Sequence, residues 1–254
     1  MSREPLFKYR ALATDYDGTI ASDGIVDDAT VSALAAAREA GLRLILVTGR
    51  ELSDLFATFP RYSAFDFIVA ENGAVVHDTA AGMTETVAPA APRRLLEALT
   101  ARRIPFSTGR SIVATSDQYE QSVRDSVRDA GCGWHVILNK GSVMILPRGV
   151  TKASGLAAAL RRLQISGEET IAVGDAENDE DLLRGCGLGV AVANALPSLK
   201  GMAGVVTTQS CGAGVGEVIA MFREGRLEQQ GRLVSRPCLT VSALVSTALS
   251  HFLD

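Results

Sequence analysis

The chain has 254 residues, of which 47% are hydrophobic and 21% are charged. A chain of this length can form one large domain, or a core domain that carries a smaller inserted one. Its formal net charge is −4 and its isoelectric point is about 5.5, so no overall positive charge attracts nucleic acid or an acidic membrane surface. We therefore expect a protein that binds neither nucleic acid nor membranes.

The cysteines and the apolar segments indicate a cytoplasmic location. The four cysteines are far apart and form no CxxC pair, so neither a zinc site nor a disulfide framework is expected. Four of the first ten residues are charged and no long apolar stretch follows them, so we expect no signal peptide. The longest apolar stretch, residues 239–253, is too short and too rich in Ser and Thr to span a bilayer.

Short apolar runs alternate with helical patterns in two parts of the chain. The first part predicts a strand at 11–14, a helix at 28–40, a strand at 42–47, a helix at 51–59, a strand at 67–70 and an extended piece at 74–77. The second part predicts a helix at 152–163, a strand at 170–173, a short helix at 179–184 and strands at 189–192 and 204–207. This alternation predicts an α/β fold, a doubly wound (Rossmann-like) parallel sheet with helices on both faces.

The segment between these parts has a different pattern. It predicts a strand at 84–87, a helix at 92–102, a strand at 112–115, a helix at 118–130 and a hairpin of strands 135–138 and 142–146. The residues between the hairpin strands, Asn139-Lys140-Gly141, are typical of a tight turn. We predict an inserted α+β cap domain at residues 80–148, between the core segments 1–79 and 149–221.

Residues 222–254 follow the predicted sheet as a C-terminal extension. An apolar stripe at helical spacing begins behind Thr240, a suitable N-cap residue. We expect a final helix that packs on the core. The alternatives are a contact in a homo-oligomer and the junction to an additional module.

Polar side chains follow three of the predicted parallel strands. They are Asp15 and Asp17, Thr48, and the group of Asp175, Asn178 and Asp179. In an open parallel sheet, ligands bind at the carboxyl ends of the strands, near the point where the strand order reverses. We therefore expect these side chains to meet at one edge of the sheet.

The acidic residues of this group predict a metal site. Asp15 and Asp17 are two residues apart at the end of an extended run, so their side chains start on the same face. Together with Asp175 and Asp179 they make four acids, which repel one another unless a cation lies between them or one of them is protonated. Mg²⁺ suits a site of oxygen ligands that keeps waters and a phosphate oxygen. The alternative is that Asp17-Gly18 only forms a turn and Asp179 only favours a helix N-terminus.

Lys152 begins a predicted helix, where a positive charge faces the positive end of the helix dipole. A phosphate bound there would remove the conflict, because helix N-terminal amides and an ammonium group both favour an anion. Thr48 and the amide of Gly49, ahead of the next helix, offer a second set of donors. The alternative for Lys152 is a solvated surface lysine.

Four segments together resemble the motifs of the haloacid dehalogenase-like phosphatases. They are DYDGT at 15–19, VTGR at 47–50, Lys152 and GDAEND at 174–179. The insert between the second and third motifs resembles the type-two cap of the Cof-like branch, as do Glu71-Asn72-Gly73 and Ala193-Asn194-Ala195. The likeness covers residues 9–220, and the compact cap is similar to that of the phosphoglycolate- and sucrose-phosphatase-like members.

The resemblance implies roles for the residues at the strand ends. Asp15 would be the nucleophile that forms an aspartyl-phosphate, and Asp17 the general acid and then the general base. Thr48 and Lys152 would hold phosphate oxygens, with Asn178 helping to position them. Magnesium would be bound by Asp15, the backbone carbonyl of Asp17 and Asp175, with support from Asp179.

The cap and the glycine-rich segments carry less specific signals. Arg110, Tyr119 and His135 are candidates for recognising the leaving group, although His135 alternatively has a surface or core role. The segments 185–189 and 212–216 lack the spacing of a dinucleotide site, and we expect both to form turns.

We therefore expect a Mg²⁺-dependent phosphomonoesterase that acts on a small phosphorylated metabolite, either a sugar phosphate or a phosphoglycolate-like acid. Two alternatives remain open at this point. One is a phosphotransferase or phosphomutase on the same scaffold, and the other is a non-catalytic module that senses phosphate.

Overall fold

The computed structural model describes residues 8–139 and 141–227. The helix predicted behind Thr240 and the turn residue Lys140 lie outside these residues. Within the described ranges, every helix is too short or too polar to cross a lipid bilayer.

The described residues form two sheets and the helices that cover them. The strands are β1 (Ala11–Thr14), β2 (Arg43–Val47), β3 (Phe67–Ala70), β4 (Val75–Asp78), β5 (Met83–Thr86), β6 (Ser107–Thr108), β7 (Val113–Ser116), β8 (Trp134–Asn139), β9 (Ser142–Pro147), β10 (Thr170–Gly174), β11 (Leu188–Ala191) and β12 (Val205–Val206). The α-helices are α1 (Asp28–Glu39), α2 (Leu52–Thr58), α3 (Arg93–Ala101), α4 (Glu120–Ala130), α5 (Lys152–Leu163), α6 (Glu180–Arg184), α7 (Pro197–Met202) and α8 (Cys211–Arg223).

The larger sheet has eight strands in the order β12-β11-β10-β1-β2-β3-β4-β5. The six strands from β12 to β3 are parallel to their neighbours, and β4 and β5 are added antiparallel. β1, β3 and β10 are buried throughout, as expected of parallel strands covered on both faces. The predicted α/β fold with a doubly wound parallel core is confirmed.

The strand order reverses at β1, which lies between β2 and β10. In the register, Thr14 is opposite Val173 on one side and Leu46 on the other. The residues that follow these three strands therefore emerge side by side at the carboxyl edge, where open α/β sheets bind ligands.

The smaller sheet is antiparallel, with the order β6-β7-β9-β8. It packs with α3 and α4 around a second apolar cluster that includes Leu95, Val123, Trp134 and Ile145. The strands and helices predicted between residues 92 and 147 are present here within a few residues, with β6 in addition.

One strand of the predicted insert lies in the larger sheet. The strand expected at 84–87 is β5, which pairs antiparallel with β4 so that Val75 is opposite Thr86. The physical reason is local, because a short turn that includes Gly82 in a left-handed conformation (φ 64°) joins β4 and β5 as a hairpin. The division into a core and a cap at 80–148 stays a prediction, with this strand on the core sheet.

The expectation of a turn at 212–216 is wrong, since these residues form the first turns of α8. A Cβ atom on Gly212 would lie 1.9 Å from the Thr30 hydroxyl oxygen of α1. Gly212 therefore lets α8 approach α1 closely. In sequence, a glycine that close packing requires looks the same as a glycine in a turn. In the other glycine segment, Gly185 and Gly187 do connect α6 to β11, which begins at Leu188.

The helix α5 approaches the turn after β3 more closely than an ordinary side chain would allow. A Cβ atom on Gly155 would lie 2.4 Å from the Cα atom of Gly73 and 2.5 Å from a methyl carbon of Val69. Thr151 caps the helix by accepting a hydrogen bond from the Ser154 amide. This contact and this cap set the position of Lys152 at the first turn of α5.

We predict that Gly155→Ala destabilises the protein by about 1–3 kcal/mol, because the added methyl group forces α5 away from the turn. The matched control is Gly201→Ala in α7, where a Cβ atom would meet nothing within 4 Å. The control should stay within about 1 kcal/mol of the wild type, since alanine favours a helix. Urea denaturation measures both changes, and equal stability of the two variants would contradict the prediction.

Candidate active site

Three buried carboxyl groups meet at the carboxyl edge of the larger sheet. The amide of Asp15 donates to the carbonyl of Val173 at 3.0 Å, which continues the pairing of β1 with β10 by one residue. Ligand atoms of Asp15, Asp175 and Asp179 all lie within 4.8 Å of one another, and the three residues are buried. The structure thus brings together side chains that are up to 164 positions apart in sequence, as counted from Asp15 to Asp179.

Lys152 joins this cluster from the start of α5. Its Nζ donates to Asp15 Oδ1 at 2.5 Å and to Asp179 Oδ1 at 2.7 Å. The alternative of a solvated surface lysine is wrong, because the residue is only 2% exposed.

The buried charges shift one another's protonation. Burial raises the pKa of Asp15 from 3.8 to about 8; Lys152 opposes this rise, and the carboxyl groups of Asp179 and Asp175 add to it. Burial lowers the pKa of the Lys152 ammonium, but Asp15 and Asp179 raise it overall, so the lysine stays charged. One ammonium group therefore faces three carboxyl groups, an arrangement that favours a further cation.

The loop after β10 holds Asp179 in place. Asp179 Oδ2 accepts hydrogen bonds from the amides of Asp175 at 2.9 Å and Ala176 at 3.1 Å. Asp175 in turn accepts from the Thr19 hydroxyl at 3.1 Å. The Asp179 carboxylate thus contacts both the loop and Lys152. The alternative that Asp179 only favours the start of α6 is therefore wrong.

The Asp17 side chain lies outside the group of three. Its carboxylate receives two hydrogen bonds from Arg50, from Nε at 2.7 Å and from Nη2 at 2.8 Å. Arg50 also contacts Asp54 at 2.7 Å and lies over the ring of Tyr16. The sequence predicted four converging acids, and the described residues group three of them with Asp17 held beside them by Arg50.

Thr48 and Gly49 lie next to the cluster, at the end of β2. Thr48 is buried, and its hydroxyl accepts from the amide of Arg50 at 3.1 Å. Gly49 lines a cavity of about 430 Å³ between the core and the smaller sheet. The lining residues are Asp15, Asp17, Gly49, Arg50, Asp54, Asn139, Ser142 and Met144.

Asn178 connects the cluster to the turn after β3. Its Nδ2 donates to Asn72 Oδ1 at 3.0 Å, and its own Oδ1 is buried without a hydrogen-bond partner among the described residues. An acceptor left open in this way can receive a hydrogen bond from a ligand.

The three cap residues predicted to recognise substrate lie away from the 430 Å³ cavity. Arg110 lines a separate cavity of about 260 Å³, and Tyr119 packs against the apolar cluster of the cap. His135 lines a third cavity, of about 310 Å³, together with Lys152 and Asn178.

Sequence reasoning missed Arg50, Asn72 and the cap residues that do line the 430 Å³ cavity, Asn139, Ser142 and Met144. Two signals were available. Arg50 closes the VTGR segment with an acid four residues later, and Asn139 and Ser142 flank the predicted tight turn of the hairpin. The hairpin is far from Asp15 in sequence, so nothing in the sequence indicated that both line the same cavity.

Comparisons with known proteins agree with this fold. The family model of haloacid dehalogenase-like hydrolases matches residues 12–122 and 114–219. A phosphoglycolate phosphatase of Methanothermobacter thermautotrophicus is 35% identical over 219 residues, which cover 84% of this chain and 98% of that protein.

Solved structures share the fold. A haloacid dehalogenase-like hydrolase from Bacteroides thetaiotaomicron has a TM-score of 0.71 at 20% identity, covering 84% of this chain and 98% of its own. A subclass IIB sugar phosphatase of the same superfamily has a TM-score of 0.71 at 21% identity, covering 85% and 99%.

The family match assigns the protein to a class of hydrolases, and its doubly wound parallel core with an acidic cluster at the carboxyl edge fits that class. The chain belongs to the haloacid dehalogenase-like hydrolase family, in its Cof-like branch. The resemblance is thereby confirmed, and the prediction of a phosphoric monoester hydrolase is confirmed at the level of the family.

We predict that Lys152→Met destabilises the metal-free protein by about 3–5 kcal/mol, because it leaves buried carboxyl groups without their cation. The control is Arg93→Met, which breaks the exposed Arg93–Glu97 ion pair on α3. That change should cost less than about 1 kcal/mol. Denaturation in a chelating buffer tests both, and a Lys152 variant as stable as the control would refute the prediction.

Proposed function

We propose that the protein is a Mg²⁺-dependent phosphomonoesterase that hydrolyses a small phosphorylated metabolite through an aspartyl-phosphate on Asp15. One observation carries the proposal: Lys152 Nζ contacts both Asp15 and Asp179 inside a buried cluster of three carboxyl groups. Asp15 also lines the cavity under the cap. A cytoplasmic location and a homo-oligomer, or a further module attached through residues 222–254, remain predictions.

The donor set fits magnesium. Asp15, Asp175 and Asp179 offer only oxygen atoms within 4.8 Å of one another, and hard divalent cations prefer oxygen ligands. We expect Asp15, Asp175 and the backbone carbonyl of Asp17 to hold the ion, with Asp179 in support. When bound, it supplies positive charge that offsets the carboxylates and the phosphate oxygens.

The chain's own residues account for the remaining chemistry. An Asp15 oxygen attacks phosphorus, forming a new P–O bond while the bond to the leaving oxygen breaks. Asp17 gives a proton to that oxygen and then takes one from the water that cleaves the aspartyl-phosphate. Lys152, Thr48 and the Gly49 amide hold the phosphate oxygens, with Asn178 positioned by Asn72. The location of Asp17 and Arg50 in the same cavity as Asp15 supports this division of roles.

The leaving group is expected to be small and polar. The cap side of the cavity offers Asn139 and Ser142, and Asn139 Oδ1 is buried without a hydrogen-bond partner among the described residues. The relative from Methanothermobacter is named a phosphoglycolate phosphatase, which favours phosphoglycolate-like acids, and the solved sugar phosphatase favours sugar phosphates. A screen of both groups of compounds, with a hexose added as acceptor, separates hydrolysis from phosphoryl transfer.

We predict that Asp15→Asn lowers phosphate release from the best substrate by a factor on the order of 10³ or more, because an amide cannot form the acyl phosphate. The control Asp129→Asn, on the exposed surface of α4, should keep wild-type turnover. Phosphate release is measured under saturating substrate and MgCl₂. Unchanged turnover in the Asp15 variant would remove this residue from the nucleophilic role.

We predict that MgCl₂ stabilises the protein against heat, by about 2.7 kcal/mol at a concentration one hundred times the dissociation constant. Asp175→Asn removes a ligand charge and should abolish most of this gain, whereas Asp129→Asn should retain it. Thermal unfolding with and without a chelator provides the measurement. Binding of Mg²⁺ and phosphate without turnover of any compound in the screen would favour a sensing module over an enzyme.

A further inference from the structure

The turn after β3 has an unusual backbone. Glu71, Asn72 and Gly73 are consecutive left-handed residues, with φ of 50°, 51° and 106°. Glutamate rarely adopts this conformation, so the surroundings must hold it there. The backbone contributes, because the amide of Glu71 donates to the Arg50 carbonyl and that of Asn72 to the Thr48 carbonyl, each at 3.0 Å.

The Glu71 side chain binds the cap. Glu71 is 2% exposed. Its carboxylate accepts hydrogen bonds from three successive backbone amides of the predicted cap: Arg110 at 2.9 Å, Ser111 at 2.8 Å and Ile112 at 2.9 Å. Hydrogen bonds to an ionised acceptor are stronger than those between neutral groups. Gly109 allows the approach, because a Cβ atom there would lie 2.7 Å from the Glu71 carboxyl carbon.

Residues 110–112, which the Glu71 carboxylate binds, lead directly to the strands that cover Asp15. Residue 112 is followed by β7, whose Ala114 is opposite Met144 of β9. Met144 and Ser142 of β9 line the 430 Å³ cavity. Asn72 adds a second contact, because its side-chain amide lies against the Met144 sulfur. The turn at 71–73 therefore contacts β9 and the segment that immediately precedes β7.

The same turn contacts the catalytic side of the core. Asn72 Oδ1 accepts from Asn178, and a Cβ atom on Gly73 would lie 2.0 Å from the Thr151 carbonyl oxygen, one residue before Lys152. The contacts are divided within the turn: Asn72 and Gly73 contact the phosphate side of the core, whereas the Glu71 side chain contacts the cap.

We propose that Glu71 is a positioning residue, whose carboxylate holds residues 110–112 on the core and so places the β8–β9 hairpin over Asp15. The anchoring stands on the contacts alone, whereas its effect on substrate rests on the proposed function. Nothing in the roles assigned to the strand-end residues requires this carboxylate, and its three amide partners all belong to the cap segment.

The first test measures amide hydrogen exchange in Glu71→Gln. Glutamine keeps the size of the side chain but has one acceptor oxygen and turns an NH₂ group toward the cap amides. Exchange at residues 110–116 should rise by at least about tenfold, while β1 and β10 stay protected. Wild-type protection of the cap in this variant would overturn the proposal.

Two further variants make the result specific. Gly109→Ala leaves Glu71 unchanged, but its added methyl group forces residues 110–112 away from the Glu71 carboxylate. This independent variant should show the same rise in exchange at residues 110–116. The matched control is Glu217→Gln on α8, because Glu217 also accepts backbone amides, from Thr208 at 2.8 Å and Gln209 at 3.2 Å. Its effect should be confined to the loop at 207–210, and equal loosening of the cap in the control would count against the proposal.

The second test separates KM from kcat. For the best metabolite, Glu71→Gln should lower kcat/KM by about 10- to 100-fold, mainly through KM, because the hairpin no longer meets the leaving group. For acetyl phosphate, with its small leaving group, the loss should be less than about threefold. Equal losses on both substrates would refute the positioning role. If neither compound is hydrolysed, the proposed function fails while the exchange experiment still decides the anchoring.

Discussion

The site depends on one ammonium group buried among carboxylates. Removing Lys152 from water is unfavourable, and it is offset because Nζ lies 2.5 Å from Asp15 and 2.7 Å from Asp179. This pairing in turn requires that α5 begins close to the carboxyl ends of β1 and β10. Gly155 of α5 packs closely against Gly73 of the 71–73 turn, and this contact allows α5 to begin at that position.

The buried cluster is also the basis of the proposed phosphate and magnesium site. Asp15 carries a raised pKa because it is buried beside two further acids, so the cluster is poorly balanced by Lys152 alone. In the proposed mechanism, a hard cation would balance this charge and keep Asp15 ionised for attack on phosphorus. The Asp17 side chain is kept apart from this repulsion by its two hydrogen bonds to Arg50.

Much of the fold could be read from local patterns. Continuous apolar runs predicted the buried parallel strands, and the Asp residues at their ends were predicted to meet because parallel strand ends share an edge. Lys152 was predicted separately, from its place at the start of a helix. The glycines at 212–216 misled, since a glycine needed for helix packing and one needed for a turn look alike in sequence. β5 was assigned to the insert because the sequence of a strand does not show which other strand it pairs with.

By itself, the sequence determined the α/β class through its apolar patterns and the family through the order of four motifs, and from that resemblance it predicted residues for attack, phosphate binding and metal binding. Only the tertiary structure decided which of them meet: three acids around Lys152, Asp17 with Arg50, and Glu71 with the amides of residues 110–112. The physical reason is that such contacts join residues far apart in the chain, whose distances are set by the packing of whole elements.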